Sequence, residues 1–206
     1  HYDYLVRVDT DSFFLGPVLD DPIQLMRQGA FKYGWLGAFM DQTYFTTGLW
    51  RETEAWIESN RLWEDVNGSG GGDGSGDGGV RERSARRMRA LQSVRGWIAH
   101  QLDIFRPDDP ERGTWDDVRY CFATNFFAVD LAWWRSEEYA SFFEQLDRAG
   151  GFYRHRWGDA CVHFLAAAVL LDKESEVVRF PGLMPYWHQG SVLNPEYRGL
   201  WSYAQY

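Results

Sequence analysis

Tyr4-Leu-Val-Arg-Val-Asp-Thr-Asp11 is the stretch from which the fold is read. Tyr4–Val8 is short and rich in β-branched and apolar residues, which predicts a buried strand. Asp9 and Asp11 stand at its carboxyl end, one residue apart. In open α/β sheets, ligands bind beyond the carboxyl ends of strands. Two carboxylates in that place can hold a hard divalent ion, which prefers oxygen ligands. Such an ion can bridge a diphosphate and neutralise it as a bond to phosphate breaks. The competing reading is a pair of turn-forming aspartates.

Outward from this stretch, strand and helix signals alternate. Pro22 to Gln28 reads as a helix with proline in its first turn. Lys32 to Phe39 reads as a strand, Leu49 to Glu58 as an amphipathic helix, and Ala123 to Val129 as a strand. Ser136 can cap a helix that stops at Gly150-Gly151, and Asp159 can cap another through Leu171. Val177 to Phe180 reads as a last strand. This mixture predicts an α/β fold.

With 206 residues the chain is long enough for a hydrophobic core without disulfide staples. Its 30 acidic residues outnumber 21 Lys and Arg, so a general nucleic-acid binder is disfavoured and an anionic substrate needs a cation or a local basic patch. Two cysteines exclude a disulfide-rich scaffold, offer no Cys-x-x-Cys zinc pair and leave the redox compartment open. Aromatic residues make up 17 %, which fits either a bulky core or a cleft that stacks sugars or bases. Asn67 to Gly79 holds eight of the 21 glycines and reads as a flexible insert; no Gly-Lys-Ser/Thr follows to make it a phosphate loop. The next stretch, Val80 to Arg95, has six arginines against one glutamate, and its apolar residues recur at helical spacing through Leu102. It is expected to be a basic amphipathic helix, either a solvated face or a contact for an anionic surface. The longest apolar run, Phe164 to Leu171, is far shorter than the ~20 residues of a membrane span. The chain enters strand-like sequence at once, with no leader pattern, and is expected to be a fragment lacking an N-terminal part.

Two further motifs can carry chemistry. Gly150-Gly-Phe-Tyr-Arg-His-Arg-Trp-Gly-Asp-Ala-Cys-Val-His163 places Trp157 and Asp159 at a helix start. Trp157 can stack on a sugar face and Asp159 can accept a sugar hydroxyl. The plainer readings are a helix cap for Asp159 and a core histidine for His163. Pro185-Tyr-Trp-His-Gln-Gly190 sets His188 in a loop context, as a ligand or an ordinary surface histidine.

In this order, the three motifs resemble the fungal secretory-pathway α-1,2-mannosyltransferases. The likeness runs through Tyr2-Asp-Tyr-Leu-Val-Arg-Val-Asp-Thr-Asp-Ser-Phe13, Lys32-Tyr33-Gly34, Thr47-Gly-Leu-Trp50, Asn125-Phe-Phe-Ala-Val-Asp-Leu131, Trp134-Arg135-Ser136, Leu146-Asp-Arg-Ala-Gly-Gly-Phe-Tyr153 and Arg156-Trp-Gly-Asp-Ala160. The resemblance implies the C-terminal portion of a GT-A-type nucleotide-diphospho-sugar transferase, a mixed sheet with flanking helices. Residues 1–206 would then be a partial glycosyltransferase domain carrying the 67–79 insert. It implies Mn²⁺, a GDP-mannose donor, a mannose-terminated glycan or glycoprotein acceptor, and retention at the anomeric carbon. By position, Asp9 falls on the family's metal-binding glutamate, Asp11 on the second acid of that motif, and His188 on the second metal ligand. Arg7, Asp9 and Asp11 fall on the donor side; Trp157 and Asp159 fall on the acceptor side, with Asp159 the candidate catalytic group. A Golgi location through an N-terminal membrane anchor outside this chain is also implied. The chain departs from the pattern at Phe127, where the family has Glu, and at Cys161, where it has Pro.

Three functions are therefore expected in rank order. The first is a metal-dependent retaining mannosyltransferase. The second is a degenerate, carbohydrate- or nucleotide-sugar-binding protein on the same frame, favoured by Phe127. The third is a metal phosphatase using Asp9 and Asp11, against which Phe13 stands where such enzymes usually carry Thr or Val.

Overall fold

The computed structural model describes residues 2–15, 18, 21–60, 115–180 and 186–192. The glycine-rich insert and the basic amphipathic stretch lie outside the described residues. In chain order the elements are β1 (Tyr4–Val8), β2 (Ser12–Phe14), α1 (Pro22–Gly29), β3 (Tyr33–Trp35), β4 (Ala38–Met40), α2 (Thr43–Thr46), α3 (Leu49–Ser59), α4 (Trp115–Val118), β5 (Tyr120–Phe122), β6 (Phe126–Asp130), α5 (Leu131–Trp134), α6 (Glu137–Ala149), α7 (Gly151–Arg154), α8 (Asp159–Leu170), β7 (Val177–Arg179), β8 (Tyr186–His188) and β9 (Ser191–Val192). They form two compact units: one of His1–Phe39, Phe122–Arg135 and Glu174–Tyr206, the other of Met40–Cys121 and Ser136–Lys173.

The first unit is built on a mixed sheet in the order β1-β6-β3-β7. β6 pairs antiparallel with both β1 and β3, and β3 pairs parallel with β7. The central strand β6 is buried on both faces, as its unbroken Phe126-Phe-Ala-Val129 run requires. One face packs Phe126 and Ala128 with Met26, Leu36, Phe180 and Tyr186. Gly34 in β3 is dictated by that packing, because a Cβ there would stand 2.1 Å from the Phe180 ring. Helix α1 starts where Asp21 Oδ1 accepts from the Ile23 and Gln24 amides, with Pro22 at the first helical position. A separate three-stranded sheet, β2-β8-β9, is antiparallel throughout.

The second unit is helical at its centre. Trp56 of α3 meets Phe142 of α6 edge-on at 5.5 Å, and its indole N–H donates to Ser141 Oγ. Ser136 caps α6 by accepting from the Tyr139 amide, and Gly150 ends it at φ 68°. Ala160 to Leu170 of α8 are all buried, so this helix is apolar around its whole circumference. Cys121 and Cys161 are joined in a disulfide.

Four local expectations change. Tyr4–Val8 is a strand, but an edge strand: Tyr4 and Val6 are half-buried, while Leu5, Arg7 and Val8 are exposed. The predicted strand Lys32–Phe39 divides into β3 and β4, with the Gly37 carbonyl between them accepting from the Ala123 amide. The strand expected from Ala123 begins at Phe126, because the Asn125 carbonyl is taken by groups outside the sheet ladder. Gly158 occupies the cap position of α8, and Asp159 is its first helical residue, accepting from the Ala160 amide.

Candidate functional site

β1 delivers the chain to a tight turn. The Asp9 amide donates to the Asn125 carbonyl at 2.9 Å, and the Ser12 amide donates back to the Asp9 carbonyl at 3.2 Å. The turn folds Thr10 and Asp11 outward and starts β2 at Ser12. In the β2–β8 pair, Ser12 lies directly across from His188 and Phe13 across from Trp187. β8 then reverses through Gln189 and Gly190, both at positive φ (46° and 84°), into β9. Two successive residues of positive φ are what a two-residue hairpin needs to match strand twist, and glycine meets the second at no steric cost.

This geometry brings together residues far apart in sequence. A carboxylate oxygen of Asp9, one of Asp11 and a ring nitrogen of His188 all lie within 4.8 Å of one another. His188 Nδ1 is 3.4 Å from Asp11 Oδ1 and 2.8 Å from Ser12 Oγ. Gln189 Nε2 donates to Asp11 Oδ2 at 2.9 Å, and this bond holds the Asp11 carboxyl below its ordinary pKa. Arg7 Nε donates to Asp9 Oδ1 at 3.0 Å, so the guanidinium sits beside the carboxylates. Asp11 is the most open of the three, with half its side chain exposed; Asp9 and His188 are more covered. Two carboxylates and one imidazole fit a hard or borderline divalent ion such as Mn²⁺, and three protein ligands leave coordination positions for water or a ligand's oxygens.

Behind these groups stands Tyr186, fully buried, whose hydroxyl donates to the Asn125 carbonyl at 2.8 Å. Burial pushes its pKa up. Asn125 thus anchors both Asp9, through its amide, and the β8 strand that carries His188. Ser12, Gln189, Tyr186 and Asn125 were not read as site residues from sequence. The signal for Gln189 was present in the Tyr-Trp-His-Gln-Gly run, but nothing in the sequence tells that its amide faces Asp11.

Trp157 and Asp159 belong to the second unit. Trp157 is buried at 6 % exposure, and its indole N–H donates to the Thr47 carbonyl at 2.9 Å. Its ring lies so close to Gly151 that a Cβ there would stand 2.2 Å away. The ring is a wedge within the unit, and little of its face is left for stacking a sugar. Asp159 is exposed at the start of α8, and His163 is buried in that helix. Phe127 is 1 % exposed and fills the sheet face opposite Phe126, stacked 5.7 Å from Tyr33 and edge-on to Trp134. Asp41 lies beside Cys121 and Cys161, but the two sulfurs bond to each other, so that group offers no thiolate pair to a metal. No helix among the described residues is long and apolar enough to cross a membrane.

Comparison with known proteins accords with this frame. The chain is 49 % identical over 187 residues to glycolipid 2-alpha-mannosyltransferase 1 of Candida albicans, covering 91 % of this chain and 35 % of that protein. It is 31 % identical over 183 residues to "Probable mannosyltransferase KTR2" of Saccharomyces cerevisiae, covering 88 % and 37 %. Core-mannan synthase A of Aspergillus fumigatus, solved in a Mn/GDP form, superposes with a TM-score of 0.65 at 26 % identity, over 94 % of this chain and 44 % of that one. The mannosyltransferase Ktr4p of S. cerevisiae, solved with GDP, gives 0.63 at 26 % identity, over 93 % and 41 %. The chain therefore spans a little over a third of the curated relatives it matches. The model of the glycolipid 2-alpha-mannosyltransferase family matches residues 93–205, more than half of the chain, and the chain belongs to that family.

Proposed function

We propose that this chain is the metal-holding part of a retaining α-1,2-mannosyltransferase that moves mannose from GDP-mannose to a mannose-terminated glycan or glycoprotein. The observation that carries the reading is the convergence of Asp9, Asp11 and His188 within 4.8 Å at the end of a sheet strand. Asp9, Asp11 and His188 would hold Mn²⁺. When bound there, the ion supplies charge neutralisation to a departing diphosphate. The remaining roles fall to the chain's own groups. Arg7 adds a second positive charge beside the phosphates, and Gln189 donates to Asp11 and favours its carboxylate form. Asp159, exposed at the start of α8, is the candidate to accept a hydroxyl of the incoming sugar. Trp157 is assigned to shaping the acceptor-side segment by packing.

A second reading is favoured by one observation. Phe127, where the family carries Glu, is an apolar ring sealed against Tyr33 and Trp134. A protein without that carboxylate could bind donor or glycan without turnover. The disulfide supports a secretory-pathway setting for either reading, since such bonds persist in oxidising compartments. The Golgi location and membrane anchor implied by the resemblance remain part of the proposal. The deciding experiment is mannose transfer and GDP-mannose hydrolysis by the full-length protein with and without Mn²⁺. Metal-dependent transfer supports the enzyme; GDP-mannose binding without transfer or hydrolysis supports the degenerate reading.

A further inference from the structure

The turn between β8 and β9 carries a full side chain where its backbone suits glycine. His188 pairs with Ser191, so Gln189 and Gly190 are the two loop residues of the hairpin. Both have positive φ, 46° and 84°. Gly190 meets that demand without a side chain. Gln189 meets it at a cost, because in the left-handed region a Cβ crowds the following carbonyl oxygen, and only Gly, Asn and Asp enter it readily. The side chain held there has a specific partner. Ser12 lies opposite His188 in the β2–β8 ladder, so Asp11 and Gln189 stand opposite each other one position past its end. Gln189 Nε2 donates to Asp11 Oδ2 at 2.9 Å, and Oδ1 is the carboxylate oxygen 3.4 Å from His188 Nδ1. Half of the Asp11 side chain is exposed. Ordering such a side chain costs rotamer entropy unless a partner has already fixed it.

We propose that Gln189 is a positioning residue for the cation centre: its amide fixes the rotation of the Asp11 carboxylate, with Oδ1 on the His188 side, and this role keeps a side chain at a turn position that glycine would fill at lower cost to folding. The inference rests on the reading of Asp9, Asp11 and His188 as a divalent-cation site. Left-handed backbone at a residue other than glycine persists where its surroundings hold it, and such positions cluster at ligand clamps. A partner that orients a liganding carboxylate in advance spares the cation that ordering, and such partners are typically worth 10- to 100-fold in metal affinity. Gln189 acts only through Asp11. Stability and cation affinity therefore pull in opposite directions at this one residue, which a purely structural turn residue would not show.

The test uses the full-length protein. Mn²⁺ affinity is read from the loss of the free-ion paramagnetic resonance signal on titration, and stability from the melting temperature without metal. Gln189→Met keeps the side-chain length and the Cβ but has no amide to donate. It should bind Mn²⁺ about tenfold more weakly at an unchanged melting temperature. Gln189→Gly removes the amide and the backbone strain together. It should bind Mn²⁺ as weakly as Gln189→Met and melt about 2 °C higher than wild type. Wild-type Mn²⁺ affinity in Gln189→Met overturns the inference while leaving the cation site standing. A Gln189→Gly protein that melts lower than wild type also overturns it, because the side chain would then serve the fold. A wild type that binds no Mn²⁺ overturns the cation site and the inference together.

Discussion

Asp9 is restrained from three directions: its amide on Asn125, its carbonyl on the Ser12 amide, and its carboxylate on Arg7. A side chain so fixed can present one oxygen to a cation without further ordering, which is why its loss should be felt more than that of a supporting group. Asp9→Ala in the full-length protein should weaken Mn²⁺ binding by more than about 100-fold, beyond the range for residues that merely support a ligand. Isothermal titration with Mn²⁺ checks this, and unchanged affinity would remove Asp9 from the ligand set. Phe127 makes the opposite case. Its ring is sealed between Tyr33 and Trp134. Phe127→Glu would remove an aromatic from a packed face and bury a carboxyl there, so it should cost at least about 3 kcal/mol of stability. Denaturant unfolding reads that loss. An unchanged midpoint would mean that the position opens to solvent and can admit an acid.

At the scale of elements, helices were legible where caps and stops are written locally. Asp21-Pro22, Ser136 and Gly150 each act within one turn of their own position, and their helices lie where expected. Strand ends were less legible, because they depend on what a distant segment does with a carbonyl: Asn125 looks like strand sequence but spends its C=O on Asp9 and Tyr186. The site divides in the same way. The acid pair is visible as Asp-x-Asp after a strand, whereas Ser12 has meaning only through a pairing 176 residues away. Trp157 was legible only in part, because an aromatic beside glycines suits a sugar platform and a packing wedge equally, and its burial favours the wedge. Helix α3 adds a pH prediction. Glu54 has its pKa raised, first by burial and then by the charges of Asp116 and Glu58. A raised folded-state pKa favours folding below the ordinary carboxylate range, and this advantage is lost as pH rises through the folded value. Ionised Glu54 is thus a small liability at neutral pH. Glu54→Gln should raise the melting temperature slightly at pH 7 and have no such benefit below about pH 4, where both forms are neutral. Thermal melts across that range would show it, and an equal effect at both ends would assign the change to packing.

For the molecule as a whole, the disulfide and the Asp9–Asp11–His188 group divide between the two units. Cys121 and Cys161 both belong to the helical unit, while Asp9, Asp11 and His188 all belong to the sheet unit. The cysteines are fully buried and separated by 40 residues, so their bond closes a loop that the unfolded chain would otherwise leave open. By loop entropy such a closure stabilises by about 4 kcal/mol. That is a large share of the ~5–15 kcal/mol by which domains are stable. One of the bond's two sulfurs belongs to Cys161, in the first turn of α8. Cys161→Ser should therefore lower the melting temperature of the helical unit by many degrees. Its Mn²⁺ affinity, measured below the new midpoint, should stay within about twofold of wild type, since sites without shared partners are close to independent. Mass spectrometry under non-reducing conditions establishes that the bond is present in the purified protein before the comparison is made. A variant as stable as wild type would show that closing this loop contributes nothing to folding. A large drop in Mn²⁺ affinity would show instead that the disulfide and the Asp9–Asp11–His188 group are energetically coupled.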